Sequence, residues 1–207
     1  AARKIGAQLI HISTDAVFDG TRGDYRETDE PNPINVYART KLAGERAVLA
    51  AYPQAAAARV NFYGWSPTGQ RSLAEFFYTH LRSEHTVNGF TDVYFSPLYV
   101  GHLAEILLKM AEQRLEGLYH VFCPQATSKY AFGVSVARLF GLDESLINPV
   151  ALQELQTGTL RSLNLSMNTE KLQAALDEPL PGEAGGLQAF HADWQAGLPD
   201  RLVASIA

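Results

Sequence analysis

Apolar residues occur along this chain both in short continuous runs and at the spacing of a helix face. The runs at 9–13, 57–62 and 118–122, with shorter candidates at 94–96 and 147–152, predict strands. Apolar residues three and four positions apart predict amphipathic helices in the segments 36–52, 72–83, 100–113, 128–140, 169–176 and 187–197. Because strands alternate with helices, the pattern predicts an α/β fold with a parallel sheet.

Turn-forming residues divide these segments. Residues 14–36 are rich in glycine, proline and aspartate and predict a long loop, which inside a compact domain is usually functional or disordered. Asn35 is a suitable N-cap for the helix that follows this loop, and Asn168 is a suitable cap for the penultimate helix. Asn88 and Gly89 together predict a turn.

Composition excludes several classes of protein. The chain has 207 residues, of which 46% are hydrophobic, so it can bury a core. Its formal net charge of -5 argues against a nucleic-acid-binding footprint. We expect neither a membrane span, which needs roughly 20 apolar residues, nor a signal peptide. The single Cys123 cannot form an intrachain disulfide and favours a cytoplasmic location. The six histidines lack metal-ligand spacing, so we expect no catalytic metal.

Tyr37 and Lys41 are four residues apart in a predicted helix, so their side chains lie on the same face. An ammonium group near a phenol hydroxyl favours the phenolate, which equips a tyrosine to give or take a proton near neutral pH. The interconversion of a carbonyl and an alcohol needs such a group. The spacing alone is weak evidence, because many helices carry this pair of residues as solvated side chains.

Polar residues directly follow the first predicted strand. The apolar run ends in Ser13, Thr14 and Asp15, which are two hydroxyls and a carboxylate. Open α/β sheets bind ligands outside the carboxyl ends of their strands, so we expect these side chains near a ligand. Side chains alternate along a strand, so only one of Ser13 and Thr14 is expected to face the site. The structural alternative for Thr14 is a hydroxyl that caps the backbone at the strand end.

Several linked motifs surround the Tyr37 and Lys41 pair in a fixed order: Ser13-Thr14-Asp15, then Val17-Phe18-Asp19-Gly20, then Pro33-x-Asn35-x-Tyr37-x-x-x-Lys41-x-x-Gly44-Glu45. This combination resembles the extended short-chain dehydrogenase/reductase family, and its dTDP-4-dehydrorhamnose reductase-like branch in particular. The resemblance is close over residues 9–48 and looser elsewhere. It implies a Rossmann-like doubly wound parallel sheet, of which this chain holds the C-terminal part, with a smaller α/β substrate lobe.

The resemblance also implies roles for individual residues. Tyr37 would be the catalytic acid/base, and Lys41 would assist it and hold the nicotinamide ribose. Thr14 would complete the catalytic set by a hydrogen bond to the reacting oxygen. The expected contacts of an NADP or NAD cofactor are Tyr37, Lys41, Ser13 and Asn61.

On the substrate side, the resemblance implies contacts from Thr14, Asp15 and Arg161. A guanidinium suits a diphosphate or a sugar because it donates hydrogen bonds in pairs. Asp15 has an equal alternative, which is to hold the loop through backbone N–H groups, and the alternative for Arg161 is an ordinary surface arginine. Glu45 follows Lys41 by four residues and can pair with it, and we expect this role to be structural.

The glycine-rich phosphate-binding loop of this family has no counterpart in the sequence. In the family, that loop and the first strands precede the Ser-Thr-Asp strand, so we expect the C-terminal part of a longer protein. A buried parallel strand at 9–12 also requires neighbours on both sides. We expect residues 1–60 and 94–117 to complete the dinucleotide-binding domain, and residues 61–93 and 118–207 to form the substrate-binding lobe.

The function implied by the resemblance is NAD(P)H-dependent reduction of a 4-keto nucleotide-diphosphate sugar, in a protein that could form a homodimer. Two alternatives stay open. One is a non-catalytic regulatory or nucleotide-sugar-binding subunit of the same fold, and the other is an NAD-dependent sugar-nucleotide epimerase or dehydratase. Ala16, Ala38 and residues 95–98 depart from the pattern of the branch where the sugar pocket is shaped. The sugar therefore stays undefined, as does the choice between NADH and NADPH.

Overall fold

The structure is a computed structural model that describes residues 1–154 and 162–205. The described residues form the α-helices α1 (Ala2–Ile5), α2 (Val36–Ala51), α3 (Leu73–Arg82), α4 (Val100–Glu112), α5 (Lys129–Leu139), α6 (Glu170–Leu176), α7 (Glu183–Gln195) and α8 (Leu198–Ala204). They also form the strands β1 (Ile10–Thr14), β2 (Ala56–Val60), β3 (Phe62–Tyr63), β4 (Val87–Phe90), β5 (Tyr94–Phe95), β6 (Leu98–Tyr99), β7 (Gly117–Val121), β8 (Thr127–Ser128), β9 (Ile147–Val150) and β10 (Asn164–Leu165). Among the described helices, none has the length and apolar character needed to cross a membrane.

Strands β1, β2 and β7 form a parallel sheet in that order. Ile10 lies opposite Ala56 and Thr14 opposite Val60, while Ala56 also lies opposite Gly117. Parallel neighbours need a long crossover connection, and α2 provides the one between β1 and β2. Helix α2 packs on one face of the sheet, and α4 and α6 pack on the other. The predicted α/β class and doubly wound parallel arrangement are therefore confirmed.

Strand β2 is the centre of this sheet, and all of its residues are buried. On one face, Ala56 and Ala58 belong to a cluster with Ile106 of α4 and Leu172 of α6. Burying a large aliphatic side chain such as Ile106 or Leu172 contributes about 1.5–3 kcal/mol, so these contacts help to attach the helical layer to the sheet. Four of the five residues of β2 are apolar, as expected for a strand whose two faces are covered by helices, and the fifth is Arg59.

Side chains from the loop after β1 and from α6 protect the outer edge of β7. The backbone N–H of His120 donates to Glu27 Oε1 at 2.8 Å, and Lys171 Nζ donates to the Leu118 carbonyl at 2.7 Å. Lys171 Nζ also lies 4.6 Å from the ring centroid of Tyr119. An unpaired strand edge can pair with another chain, so these charged side chains block such pairing.

The remaining strands are short and belong to smaller sheets. Strand β3 pairs with β6 and β4 with β9, both in parallel, and β10, β5 and β8 form a third group. Helices α3, α5 and α7 enclose an aromatic core that contains Phe77, Phe132 and Phe190. Trp65 stacks on Phe190 with 4.1 Å between ring centroids, and its indole N–H donates to the Phe190 carbonyl at 2.9 Å. This part of the molecule thus has a core of its own.

The predicted turn at Asn88 and Gly89 is wrong, because both residues lie within β4 and pair with β9. A Cβ atom on Gly89 would lie 2.9 Å from the Cα of Tyr130 and 2.9 Å from a methyl carbon of Ile147. The glycine is therefore required by the close approach of α5 to the strand. A glycine that allows such packing resembles a turn former when the sequence is considered alone.

The predicted final helix begins too late and is not the last one. Helix α7 starts at Glu183, whereas the sequence predicted a start at Leu187, and α8 follows it. A Cβ on Gly186 would lie 2.7 Å from the Tyr63 hydroxyl, so the glycine allows α7 to approach Tyr63 closely. The N-cap of α6 is Thr169, one residue after the predicted Asn168. Asn168 Oδ1 still accepts a hydrogen bond from Glu170 N at 3.0 Å.

The division of the chain into a dinucleotide-binding part and a substrate lobe stays a prediction. Strand β7, which the sequence placed in the lobe, pairs with β2 in the main parallel sheet. Helix α6 packs on that same sheet through Leu172 and Leu176. We therefore propose that β7 and α6 belong with the sheet, and that the separate aromatic core marks the smaller part.

Candidate active site

Helix α2 starts at a side-chain cap. Asn35 has an extended backbone, and its Oδ1 accepts a hydrogen bond from Ala38 N at 2.8 Å, as expected for an N-cap. The cap places Tyr37 in the first helical turn, where the residue is 58% exposed. One turn later, Lys41 Nζ donates to the carbonyl oxygen of Ile12 at 2.6 Å. This contact connects the lysine to the middle of β1.

Thr14 is the last residue of β1, and a short 3₁₀ helix at Asp15–Val17 follows it. The Thr14 hydroxyl accepts a hydrogen bond from Ala16 N at 3.2 Å and donates to Asp15 Oδ1 at 3.0 Å. The backbone-capping role considered for Thr14 is therefore present. It does not remove the residue from the site, because Thr14 also lines the cleft described below.

Asp15 links the ends of two neighbouring strands. It is 4% exposed, and its Oδ2 accepts a hydrogen bond of 2.6 Å from the amide of Asn61, the residue that follows β2. Burial raises the pKa of the Asp15 carboxyl, while the hydrogen bonds from Asn61 and Thr14 act in the opposite direction. Both carboxylate oxygens thus have protein partners.

A cleft of about 280 Å³ opens at the carboxyl ends of β1 and β2. It is lined by six residues singled out in the sequence, which are Ser13, Thr14, Asp15, Tyr37, Lys41 and Asn61. The seventh, Arg161, lies outside the described residues. This location is where open α/β sheets bind their ligands. The cleft brings the candidate residues together, and their individual roles stay predictions.

The structure bears on two sequence expectations about this site. Strand alternation suggested that only one of Ser13 and Thr14 would face the site. Both residues border the cleft, and which of the two side chains faces it stays a prediction. Glu45 does not pair with Lys41 in the structure, because Glu45 forms a buried ion pair with Arg59.

Three further residues line the cleft, and the sequence had not indicated any of them as a contact. Ile12, Val60 and Phe62 provide its apolar surface, and Phe62 is 49% exposed. The available signal was an aromatic residue next to Asn61, which the resemblance implied to be a cofactor contact. An exposed aromatic side chain beside a polar cleft suits the face of a sugar or a nicotinamide ring.

The cleft contains groups that fit the ribose of a nicotinamide cofactor. The buried Ser13 hydroxyl has no hydrogen-bond partner among the residues that the structure describes, Tyr37 is exposed, and Lys41 carries an ammonium group. A buried polar atom without a partner is costly, and a ribose hydroxyl would satisfy it. Within residues 1–154 and 162–205, no three or more histidine, cysteine, aspartate or glutamate side chains are grouped as metal ligands.

The classification follows from comparison with known families. The family model described as the RmlD substrate binding domain matches residues 1–195. The chain belongs to the RmlD substrate binding domain family. The dTDP-4-dehydrorhamnose reductase of Mycobacterium tuberculosis (strain CDC 1551 / Oshkosh) is 36% identical over 187 residues, which are 87% of this chain and 61% of the relative. Methionine adenosyltransferase 2 subunit beta of Xenopus tropicalis is 35% identical over 179 residues, which are 83% of this chain and 53% of the relative.

Solved structures of family members have the same fold. The dTDP-4-dehydrorhamnose reductase of Bacillus anthracis in complex with NADP has a TM-score of 0.84 and 25% identity, with 93% of this chain and 68% of that chain covered. The corresponding reductase of Clostridium acetobutylicum has a TM-score of 0.82 and 26% identity, with 94% and 68% covered. The resemblance to the dTDP-4-dehydrorhamnose reductase branch is thus confirmed, and the chain spans 61% and 53% of the two curated relatives.

Proposed function

We propose that the protein containing this chain reduces a 4-keto nucleotide-diphosphate sugar with NADPH or NADH. The observation that carries this proposal is the single cleft lined by Tyr37, Lys41 and Thr14 at the ends of two parallel strands. The similarity to the reductase of Mycobacterium tuberculosis supports the reaction class. The NADP complex of the Bacillus anthracis reductase supports the cofactor class.

In this proposal, the bound nicotinamide cofactor supplies the hydride and the residues of the chain handle the proton. Tyr37 donates its phenol proton to the carbonyl oxygen of the sugar as that oxygen gains negative charge. Lys41 stabilises the phenolate that is left and holds the ribose through its ammonium group. General acid catalysis of this kind contributes about 10²–10⁴-fold to the rate.

Thr14 is assigned the second hydrogen bond to the reacting oxygen. Its hydroxyl donates to Asp15 Oδ1, so in this proposal it turns from the carboxylate to the substrate oxygen to make that bond. Asp15 is held by Asn61 at the same time, which keeps the carboxylate in place while Thr14 turns. A positioned donor to a developing oxyanion contributes about 10²–10³-fold.

The substrate side of the proposal assigns Asp15 and Arg161 to the sugar nucleotide and Phe62 to the wall of the pocket. The Asp15 carboxylate already accepts hydrogen bonds from Thr14 and Asn61, so we expect any contact it makes to a sugar hydroxyl to be an additional one. Phe62 gives the cleft an apolar surface against which a sugar ring can pack.

The test uses the Tyr37→Phe variant of the full-length protein. The assay follows oxidation of the reduced nicotinamide in the presence of a dTDP-4-keto sugar. We expect kcat to fall by at least about 10²-fold, because the proton donor is lost. Thermal unfolding should be unchanged, since Tyr37 is 58% exposed.

The matched control for this test is Tyr94→Phe, which removes the hydroxyl of another exposed tyrosine outside the residues that line the cleft. It should leave kcat within about twofold, since a surface substitution away from the site changes little. Full turnover by the Tyr37→Phe variant would contradict the proposal.

A second candidate function is that of a regulatory subunit. The similarity to methionine adenosyltransferase 2 subunit beta favours it, because that relative is 35% identical over nearly the same part of the chain. The two functions predict different outcomes for the unmodified protein. A tight heteromeric partner with no oxidation of reduced nicotinamide favours the subunit, whereas substrate-dependent oxidation favours the reductase. Tightly retained NAD after purification favours an epimerase instead.

A further inference from the structure

A buried ion pair joins α2, the helix that carries Tyr37 and Lys41, to strand β2. Glu45 follows Lys41 by one turn of α2 and is 3% exposed, and Arg59 of β2 is 1% exposed. Arg59 Nε donates to Glu45 Oε2 at 3.0 Å, and Arg59 Nη2 donates to Glu45 Oε1 at 2.7 Å. Two parallel hydrogen bonds between planar groups define both the distance and the orientation of the two elements.

The same guanidinium contacts two further parts of the molecule. Arg59 Nη1 lies 3.3 Å from His120 Nε2 on β7, and the guanidinium carbon lies 4.9 Å from the ring centroid of Phe18. Phe18 belongs to the loop that follows Thr14, and it stacks on Tyr25 with 4.2 Å between ring centroids. This buried cation of the central strand therefore contacts α2, the neighbouring strand β7 and the loop after Thr14.

Stability alone is a weak reason for such a pair. Removing two charges from water is costly, and a well-packed pair of apolar residues of similar volume is often as stable or more stable. Apolar contacts are non-directional, however, so they constrain the orientation of a helix on a sheet less than hydrogen bonds do. The bidentate pair constrains it more, because both hydrogen bonds weaken when the groups leave their common plane.

Tyr37 depends on its helix for its position. The residue is 58% exposed and lies two turns before Glu45 on α2, so few surrounding side chains hold the ring. Lys41 reaches across to the Ile12 carbonyl of β1 and is equally sensitive to the relation between the helix and the sheet. Misplacement of a reacting group by about 1 Å can reduce a rate by about 10²-fold.

We propose that Glu45 and Arg59 are positioning residues, whose bidentate ion pair sets the orientation of α2 on the parallel sheet and so holds Tyr37 and Lys41 opposite Thr14. This inference rests on the proposed function of the cleft. Neither residue lines the cleft, so their effect on turnover passes through the placement of Tyr37 and Lys41.

The first test replaces both members together, as Glu45→Leu with Arg59→Met, in the full-length protein. The swap removes both charges and keeps apolar volume between α2 and β2. We expect a melting temperature close to that of the unmodified protein, a kcat lower by about 10–100-fold, and a KM for the sugar nucleotide within about twofold. A double variant that keeps the original kcat would overturn the proposal.

Two single variants complete this test. Arg46→Met is the matched control, because it removes an exposed ion pair with Glu30 from the neighbouring position of the same helix, and it should leave kcat unchanged. Arg59→Lys keeps the positive charge but lacks the planar fork, so we expect it to fold and to lose kcat by about tenfold. If the double variant fails to fold, unchanged kcat in Arg59→Lys overturns the proposal.

An experimental structure separates this inference from the proposed function. If the unmodified protein oxidises no cofactor with any 4-keto sugar nucleotide, the proposed function fails. In that case kcat can no longer be used to measure the placement of Tyr37 and Lys41. Crystal structures of the unmodified and Arg59→Lys proteins then decide. We expect the Tyr37 hydroxyl and Lys41 Nζ to move by about 1 Å or more relative to Thr14 Oγ1. Unchanged positions in the variant would overturn the positioning role.

Discussion

The Thr14→Val substitution separates the two roles that the structure combines in one hydroxyl. Valine has nearly the shape of threonine, so the change removes the hydroxyl while it preserves most of the packing. Thr14 is 7% exposed, accepts a hydrogen bond from Ala16 N and donates one to Asp15 Oδ1. The variant therefore loses two hydrogen bonds, so the Ala16 N–H donor and the Asp15 Oδ1 acceptor each have one partner fewer.

The expected loss of stability follows from these contacts. Each intramolecular hydrogen bond contributes about 0.5–1.5 kcal/mol net. Asp15 keeps its bond from Asn61, which limits the cost on that side. We expect a decrease of about 1–2 kcal/mol in the free energy of unfolding, measured by chemical denaturation. For a chain of this size, that corresponds to a decrease of about 2–8 °C in melting temperature.

The expected loss of activity is larger than the loss of stability explains. If Thr14 donates a hydrogen bond to the reacting oxygen, kcat should fall by about 10²–10³-fold at a temperature where the variant is fully folded. Thr14→Ser is the matched control, because it keeps the hydroxyl, and it should retain kcat within about tenfold. A folded Thr14→Val protein with a kcat within a few-fold of the original would refute the reasoning, and the hydroxyl would then only cap the turn.

Three other predictions concern stability. Burial and the neighbouring Arg59 lower the pKa of His120 to about 3. At acidic pH this histidine is therefore protonated in the unfolded chain and neutral in the native state. As the pH is lowered from about 6.5 to about 3, the free energy of unfolding should decrease with a slope approaching 1.4 kcal/mol per pH unit, and His120→Gln should remove this slope. Burial raises the pKa of Asp15, so this group makes stability fall as pH rises above about 3.9, and Asp15→Asn should abolish that dependence. Gly89→Ala should lower the free energy of unfolding by about 1–3 kcal/mol through overpacking. Gly185→Ala should raise it by about 0.5–1 kcal/mol, because a Cβ at this position of α7 has no atom within 4 Å. Denaturation curves check all three, and equal effects of the two alanines would contradict the packing argument.

Local chemistry along the chain is sufficient to predict much of the candidate site. Asn35 caps α2, and this sets where Tyr37 and Lys41 lie on the helix. The apolar run that ends in Thr14 forms the first strand of the sheet, and its polar end borders the cleft. These features depend on interactions between residues a few positions apart, such as helix capping, turn formation and side-chain periodicity. For this reason they can be predicted before the fold is known.

Contacts between distant residues were decided only by the tertiary structure. Helical spacing allows Glu45 to pair with Lys41, whereas its partner in the structure is Arg59, 14 residues later in the chain. Gly89 looked like a turn former and is a strand residue, because helix α5 packs too close for any side chain. In both cases the deciding quantity is which surfaces are buried against each other. Local spacing does not contain that information, because burial is a property of the whole packed chain.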